Sequence, residues 1–403
     1  MRVASVPPEV PAPPVGAFGV YVHVPFCHRR CDYCAFATWT DRAHLMGAYA
    51  DAAVTEVTGA VAAGMPGASS VFFGGGTPSL LPVDDLGRIL AAVPRRAGAE
   101  VTVECNPETV DADRLRAYRD TGVTRLSFGV QSMVPSVLAA LGREHDPAAV
   151  RRAAEAAGDA GFAGAFSVDL IYGAVGETTA AWCTTVEEVL ALDPAPTHVS
   201  AYGLTPEPGT PLGADRARHP DPDDQADKYE IVDERLAAAG LAWYELSNWA
   251  APGAECRHNR LYWEQGPYRG IGCAAHSHTP TVDGGARRWW NVRTPERYIG
   301  LIGAGRPVEA AGEDLDAAAR RTEAAHLALR TRDGVAFADL AALFEAAEVA
   351  GRTARPGPGG SDAVRAALAE VEVAGLVERH GGRVVLTRRG RLLANEVAVR
   401  LVA

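Results

Sequence analysis

Three thiols stand close together near the start of the chain. Cys27, Cys31 and Cys34 form C-x3-C-x2-C, so three of the seven cysteines fall within eight residues. In a reducing compartment such crowding points to metal or redox chemistry, not to a disulfide framework. Three thiolates on one tight loop can hold three irons of a [4Fe–4S] cube and leave the fourth open to a small molecule. A structural zinc is the competing reading. It needs four closed ligands, and His23 or His28 could supply the fourth. The cysteines alone do not choose between them. A second segment, Gly74-Gly75-Gly76-Thr77-Pro78, adds independent information. Glycine permits φ > 0 and close backbone approach. Exposed peptide groups there can hydrogen-bond the amino-acid end of a ligand held at an open iron, and an ordinary strand-to-helix turn seldom needs three glycines.

The surrounding elements must bring these segments together. Strand-like and helix-like stretches alternate. Strands are expected at Gly19 to Val24, Ser70 to Phe73, Val101 to Glu104, Arg125 to Val130, Phe166 to Tyr172 and His198 to Leu204. Helices are expected at Arg42 to Ala63, Val83 to Ala92, Ala112 to Asp120 (opened by Asp111), Val134 to Leu141, Pro147 to Ala160 and Thr179 to Leu192. Repeated βα units with short connections indicate a parallel sheet wrapped by helices, as a barrel or an open doubly wound sheet. The unusual residues favour the barrel. The cysteines follow the first strand, the glycines the second, and Gln131 the fourth. Glu104 ends the third, while Asp169 and Tyr202 are expected late in the fifth and sixth. A parallel barrel delivers those ends to one rim, where barrel enzymes place their chemistry. Thr205 to Asp224, rich in Pro, Gly and Asp, reads as a long loop. A helix (Asp224 to Gly240) and a strand (Ala242 to Ser247) precede an irregular aromatic stretch from Trp249 to Tyr268. Beyond about Pro295 the pattern changes to helices at Leu315 to Leu329 and Phe337 to Ala347, then a linker from Arg355 to Gly360. A helix near Ala363 to Ala374, a hairpin around Gly381-Gly382 and a last helix from Arg388 suggest a winged-helix-like domain.

Composition narrows the function classes. At 403 residues the chain can bury a large core. It carries 39 Lys+Arg against 50 Asp+Glu, net −11, which argues against nucleic acid as the main partner. The terminal domain does not reverse this: residues 361 to 403 hold seven arginines against five acids, so it reads as a packing or partner module. No run reaches the 18 or so apolar residues of a transmembrane helix. The lead, 1–17, has no apolar signal region, and its prolines suggest a disordered or polyproline segment. A cytoplasmic protein is expected, with a barrel over 18–295 and a second domain over 296–403.

Tyr21-Val22-His23-Val24-Pro25-Phe26-Cys27, with Cys31, Cys34 and then Gly74 to Pro78, resembles the radical S-adenosylmethionine (SAM) proteins. More narrowly, the chain resembles the oxygen-independent coproporphyrinogen III oxidase-like group. The resemblance implies a partial (β/α)6 radical-SAM barrel. It implies a [4Fe–4S] cluster on Cys27, Cys31 and Cys34, with SAM chelating the fourth iron through its amino and carboxylate groups. An electron from the cluster, delivered by a donor such as flavodoxin or ferredoxin, then cleaves SAM to methionine and a 5′-deoxyadenosyl radical. Residue by residue, Tyr21, Tyr33, Gly75, Gly76, Thr77, Glu104, Gln131, Arg143 and Asp169 match SAM-contacting positions. Carboxylates suit ribose hydroxyls and an ammonium, and Arg143 suits a carboxylate.

Two features divide this group. Its dehydrogenases, which convert coproporphyrinogen III to protoporphyrinogen IX, carry a further cysteine two residues after the third; here that position is Phe36. The segment His258-Asn259-Arg260-Leu261-Tyr262-Trp263 is similar to the His-Asn-x-x-Tyr-Trp element of the HemW heme chaperones. There it is associated with heme binding, which assigns His258, Asn259, Tyr262 and Trp263 to heme. His258 is a candidate axial ligand, and Tyr262 and Trp263 offer flat faces to a porphyrin. Cys256 is an alternative or additional ligand, and packing of the aromatics over the barrel mouth is the structural alternative. The glycine turn from Gly270 to His276 looks like another family element, and Cys105, Cys183 and Cys273 read as small buried residues. The resemblance thus implies a carrier that passes heme to acceptor hemoproteins such as those of respiration. The competing activity is coproporphyrinogen oxidation, and the third alternative is a zinc-stabilised barrel with a nucleic-acid-binding wing.

Overall fold

The computed structural model of the chain describes residues 16–349 and 360–402. The proline-rich lead before residue 16 and most of the expected linker, 355–359, lie outside the described residues. Six parallel strands run in chain order: β1 (Gly19–Val24), β2 (Ala68–Gly75), β3 (Arg95–Cys105), β4 (Arg125–Gln131), β5 (Phe166–Tyr172) and β6 (His198–Gly203). The helices α1 (Met46–Ala62), α2 (Val83–Ala92), α3 (Ala112–Thr121), α4 (Pro135–Ala140), α5 (Pro147–Asp159) and α6 (Thr179–Leu190) connect them. Asp111 caps α3 as expected, accepting from the Arg114 N–H. The valine alternation of β1 decides its orientation. Val20, Val22 and Val24 share a buried cluster with Ala50, Ala53 and Val57 of α1, each contributing about 1.5 kcal/mol by burial. Tyr21 and His23 are thereby turned to the other face.

Strand β6 does not pair with β1, so the barrel is partial. Beyond β6 lie two antiparallel strands, β7 (Ala242–Glu245) and β8 (Asn248–Ala250), in the order β6-β8-β7. On the other flank β9 (Tyr268–Ile271) joins β1 in parallel. Strands β10 (His276–Pro280), β11 (Ala286–Asn291) and β12 (Glu309–Leu315) then extend the sheet by antiparallel pairing.

Two stretches expected to be irregular are helical. Within 205–224 lie α7 (Pro211–Ala214), capped by Thr210, and a 3-10 turn, Arg216–Arg218, capped by Asp215. Both are too short to show periodicity. The long helix that follows is α8 (Pro222–Ala238). The aromatic stretch contains α9 (Arg257–Trp263), which has no side-chain cap at its own N-cap residue, Cys256. Its first N–H groups instead reach Glu100 on β3, at 2.9 Å from Arg257 and 3.3 Å from His258. A cap more than a hundred residues away leaves no local signal. Asp169 is the middle residue of β5, not a late one, and so lies inside the barrel.

The second core comprises α11 (Ala317–Leu329), α12 (Phe337–Val349), α13 (Gly360–Val373), α15 (Ala394–Val402) and a three-stranded sheet. That sheet is β13 (Val335–Ala336), β15 (Arg383–Leu386) and β14 (Val377–His380), with the hairpin turning at Gly381-Gly382. Residues between 295 and 315 stay with the large sheet: α10 (Pro295–Gly303) contacts α1, and β12 pairs with β11. The expected final helix is split into α14 (Arg388–Leu392) and α15.

Asp233 of α8 fastens the second unit to the barrel. It accepts from Arg388 at 2.6 Å, from Arg391 at 2.8 and 2.9 Å, and from the Trp249 indole at 2.8 Å. Burial pushes its carboxyl up, but the hydrogen bonds from Arg391 and Trp249 and the two positive charges outweigh it and hold it below its ordinary range. Asp233→Asn should cost about 3 kcal/mol, because it leaves the Arg391 charge buried without its counter-ion. A carboxyl whose folded pKa is depressed stabilises the fold above its unfolded value, about 3.9. That contribution is lost as pH falls through the folded value. Thermal melts of wild type and variant should therefore differ fully at pH 7 and 5, approach each other as pH falls below about 4, and converge only below the depressed folded value.

Candidate functional site

The cysteine loop leaves β1 and is closed at its base by hydrogen bonds across Pro25–Cys27 and Trp39: Cys27 N to Trp39 O, 3.1 Å, and Trp39 N to Pro25 O, 2.8 Å. Its tip is held from outside. The Asp32 N–H donates to Leu141 O at 3.3 Å, Leu212 N of α7 donates to Asp32 O at 3.0 Å, and Arg218 pairs with the Asp32 carboxylate at 2.8 Å. The stretch expected to be a plain loop thus positions the thiols. All three are free of disulfides and half-buried. Burial pushes the Cys27 and Cys34 thiols up, so metal binding there must release protons. His23 is not available as a fourth zinc ligand. Its Nε2 bonds Ala37 O at 2.9 Å and its Nδ1 bonds the Tyr21 hydroxyl at 3.1 Å. His28 is exposed on the loop.

Cys27, Cys31 and Cys34 open on a cavity of about 610 Å³. The same cavity is lined by Tyr33, Gly75, Gly76, Thr77, Glu104, Gln131, Arg143 and Asp169. Tyr21 is the expected contact that does not line it; its ring faces the barrel interior and the flank beside β1. Gly75 has φ of +109°, and a Cβ there would lie 2.4 Å from the His23 ring. At Gly76 a Cβ would meet Phe26 O at 2.7 Å and Val24 O at 2.8 Å. The close approach these glycines permit is thus first of all between β2 and the base of the cysteine loop. Thr77 donates to Cys27 Sγ at 3.5 Å. Arg143 donates to Gly129 O at 2.7 Å, to Asn106 Oδ1 at 2.9 Å and to Cys31 Sγ at 3.5 Å, while its Nε is buried without a partner. An orphaned guanidinium N–H beside three thiols suits a ligand carboxylate. Glu104 accepts from Gly75 N at 3.1 Å and is pushed up to about 8 by burial and then by Asp169. Burial also raises Asp169, against hydrogen bonds from Ser200 and Ser127. A positively charged ligand group would draw both toward the ionised form.

The His258 segment lies at the opposite end of the barrel. Gly19, Ser70 and Glu100 are register partners near the strand N-termini, and α9 packs beneath them. His258 is fully buried, with Nδ1 2.9 Å from Ser70 Oγ and Nε2 2.8 Å from the Tyr262 hydroxyl. Burial lowers its pKa to about 3. Both ring nitrogens are therefore engaged in closing the barrel floor. Burial pushes Cys256 up to about 12, and its thiol lies 3.6 Å from Glu100. Asn259 and Tyr262 face a small interior cavity of about 210 Å³ that also meets Glu104 and Asp169. Trp263 lies outside, under the Arg330 guanidinium at 5.3 Å.

A larger cavity, about 800 Å³, opens where the barrel is not closed. Its floor is the inner face of the extended sheet: Tyr21 and His23 of β1, Tyr268 of β9, His276 and His278 of β10, Arg288 and Trp290 of β11. Tyr262 and Trp263 line one side, and Ala35, Phe36 and Ala37 of the cysteine loop line another. Ala35 and Phe36 also line the thiol cavity, so the two cavities share a wall.

Comparison with known proteins matches residues 21–189 to the radical SAM superfamily and residues 315–393 to the HemN C-terminal domain. The chain is 42% identical to a Mycobacterium tuberculosis protein described as heme chaperone HemW, over 98% of both chains. It is 33% identical to the Bacillus subtilis heme chaperone HemW, over 94% of this chain and 97% of the other. The chain belongs to the HemW family of radical SAM proteins. Its fold matches the Escherichia coli coproporphyrinogen III oxidase HemN with a TM-score of 0.79, at 22% identity over 98% of this chain and 91% of that one.

Against this HemW membership, sequence reasoning missed Asn106, which bridges Thr77 (3.3 Å) and Arg143. It also missed the large cavity. Only the spacing His276-Ser277-His278, with Arg288 and Trp290 alternating on the next strand, carried a signal for it. Gly272 and Cys273 of the glycine turn are held by Glu56 and the Tyr49 hydroxyl. Cys273 and Cys105 are buried as expected, whereas Cys183 is half-buried.

Anaerobic iron and sulfide analysis should give about four of each per chain. Ala at Cys27, Cys31 or Cys34 should abolish this content, and stoichiometric zinc without sulfide in the wild type would overturn the cluster assignment. Gly76→Ala should lower both the melting temperature and SAM affinity in calorimetry, since the added methyl displaces Phe26 and the cysteine loop together.

Proposed function

We propose that this protein is a heme carrier: it binds heme, holds a [4Fe–4S] cluster with SAM, and passes heme to acceptor hemoproteins. The observation that carries the reading is the end-to-end kinship with chains described as heme chaperones, at 42% identity. Phe36 supports it. It stands where the dehydrogenases carry a further cysteine, and it is 65% exposed at the wall between the two cavities.

Cys27, Cys31 and Cys34 would hold the cluster, and Arg143, Glu104 and Asp169 would orient SAM. When bound, the cluster and SAM supply one-electron reductive chemistry. The chain's part is to bind, orient and exclude water. Arg143 would offer its spare N–H to the carboxylate of SAM, and the two buried carboxyls would suit its ammonium and ribose. Exchange of SAM, acceptors among respiratory hemoproteins, a flavodoxin- or ferredoxin-type electron donor and a cytoplasmic location complete the proposal. Among the described residues no helix is long and apolar enough to cross a membrane.

Reconstituted protein supplied with SAM and reductant should bind heme and produce no protoporphyrinogen from coproporphyrinogen III, measured by chromatography of the oxidised porphyrins. Sustained conversion that depends on SAM and Cys27 would replace this reading with the dehydrogenase.

A further inference from the structure

We infer that the heme is seated in the 800 Å³ lateral cavity, with His276 as its axial ligand and Arg293 binding a propionate. This rests on the heme-carrier reading and names the site that the reading leaves unassigned. A cavity of this size is in the range that encloses a large planar ligand.

The imidazoles choose the ligand. His258 and His23 have both ring nitrogens hydrogen-bonded. His278 is buried, with Nδ1 on Gly266 O at 3.0 Å. Among the described residues His276 makes no side-chain hydrogen bond. It is exposed at the cavity mouth and stacked on Trp290, with centroids 5.5 Å apart and an interplanar angle of 25°.

The cations choose the anionic end. Arg288 is taken by Glu313 and Glu323, at 2.7 and 3.0 Å. Arg293 lines the same cavity and, among the described residues, makes no hydrogen bond, ion pair or ring contact. Because β10 begins at His276 and β11 ends at Asn291 in an antiparallel pair, His276 and Arg293 fall at the same end, the end bordered by Phe36. Tyr262, Trp263 and Phe36 would offer apolar contact to the porphyrin, while Trp290 stacks on the His276 ring and fixes its direction.

Residues that line the cavity also carry local costs. Gln265 is 5% exposed and its Oε1 has no partner; the Trp263 Nε1 is likewise buried and unpaired. Gln265 and Ala274 line this cavity with φ of 50° and 55°, and Gln131 lines the thiol cavity with φ of 63°. Among the described residues these are the non-glycine positions with positive φ. Such strain and unpaired groups persist where a ligand site requires them.

The test uses full-length protein, anaerobically reconstituted and titrated with hemin. Affinity is followed by tryptophan quenching and ligation by EPR of the ferric heme. His276→Ala and His276→Gln should change the EPR signal and weaken affinity at least about tenfold, with cluster iron and sulfide unchanged. Added imidazole should restore the signal to His276→Ala. Arg293→Ala should weaken affinity about tenfold with the signal unchanged. His278→Ala should leave the EPR signal as in wild type. Wild-type signal and affinity in both His276 variants would overturn the inference while leaving the carrier reading intact, as would loss of the signal in His278→Ala alone. A wild type that binds no heme would remove the carrier reading, and this site with it.

Discussion

Six strands hydrogen-bond in parallel and in chain order, and the first and last of them do not meet. Parallel pairing with matched register puts Gly75, Glu104 and Gln131 near one rim, because each strand leaves the sheet in the same direction. The lack of a β6–β1 pair does as much. An open flank is a row of unpaired backbone groups, which the chain covers by adding β9 to one side and β8 to the other. The added strands β9–β12 continue the concave inner face past β1 and create the large cavity. The rim and the flank therefore have one cause.

Electrostatics inside this frame is set by burial. Burial pushes the Glu104 carboxyl up to about 8 and raises that of Asp169, while it lowers His23 to about 4 and His258 to about 3. Cationic groups are mostly committed. The only lysine, Lys228, is fully buried between Glu177 and Asp224, and Arg391 is fixed by Asp233. Among the described residues, Arg143 Nε, buried without a partner, and Arg293, on the wall of the large cavity, stand out for that reason.

Helix α9 carries a motif that marks the family, and its setting in the fold gives its residues different surroundings. Its residue types suggest a ligand and a platform. The fold uses His258 as a double hydrogen-bond bridge from Ser70 to Tyr262, and leaves only Tyr262 and Trp263 facing the large cavity. A buried imidazole without partners would cost more than one that is satisfied, and Ser70 and Tyr262 supply both.

The sequence by itself determined the alternation of strands and helices, the three-thiol loop, the glycine run and the family. These are local patterns: period-2 valines in β1, the Asp111 cap, and cysteines within one turn of chain. It also marked Glu104, Gln131 and Asp169 as polar residues on barrel strands, because strand direction alone carries them toward a common site. Tertiary structure decided the rest. Glu100 caps α9 and Arg218 holds Asp32 across well over a hundred residues, so neither appears in any window of sequence. Tyr21 does not line the thiol cavity; its hydroxyl bonds the His23 ring, two residues along the same face of β1. The large cavity exists only because strands from the far end of the barrel fold back beside β1. Its residues run from Tyr21 to Leu327, and only the alternation at His276, His278, Arg288 and Trp290 is visible to a chain read in order.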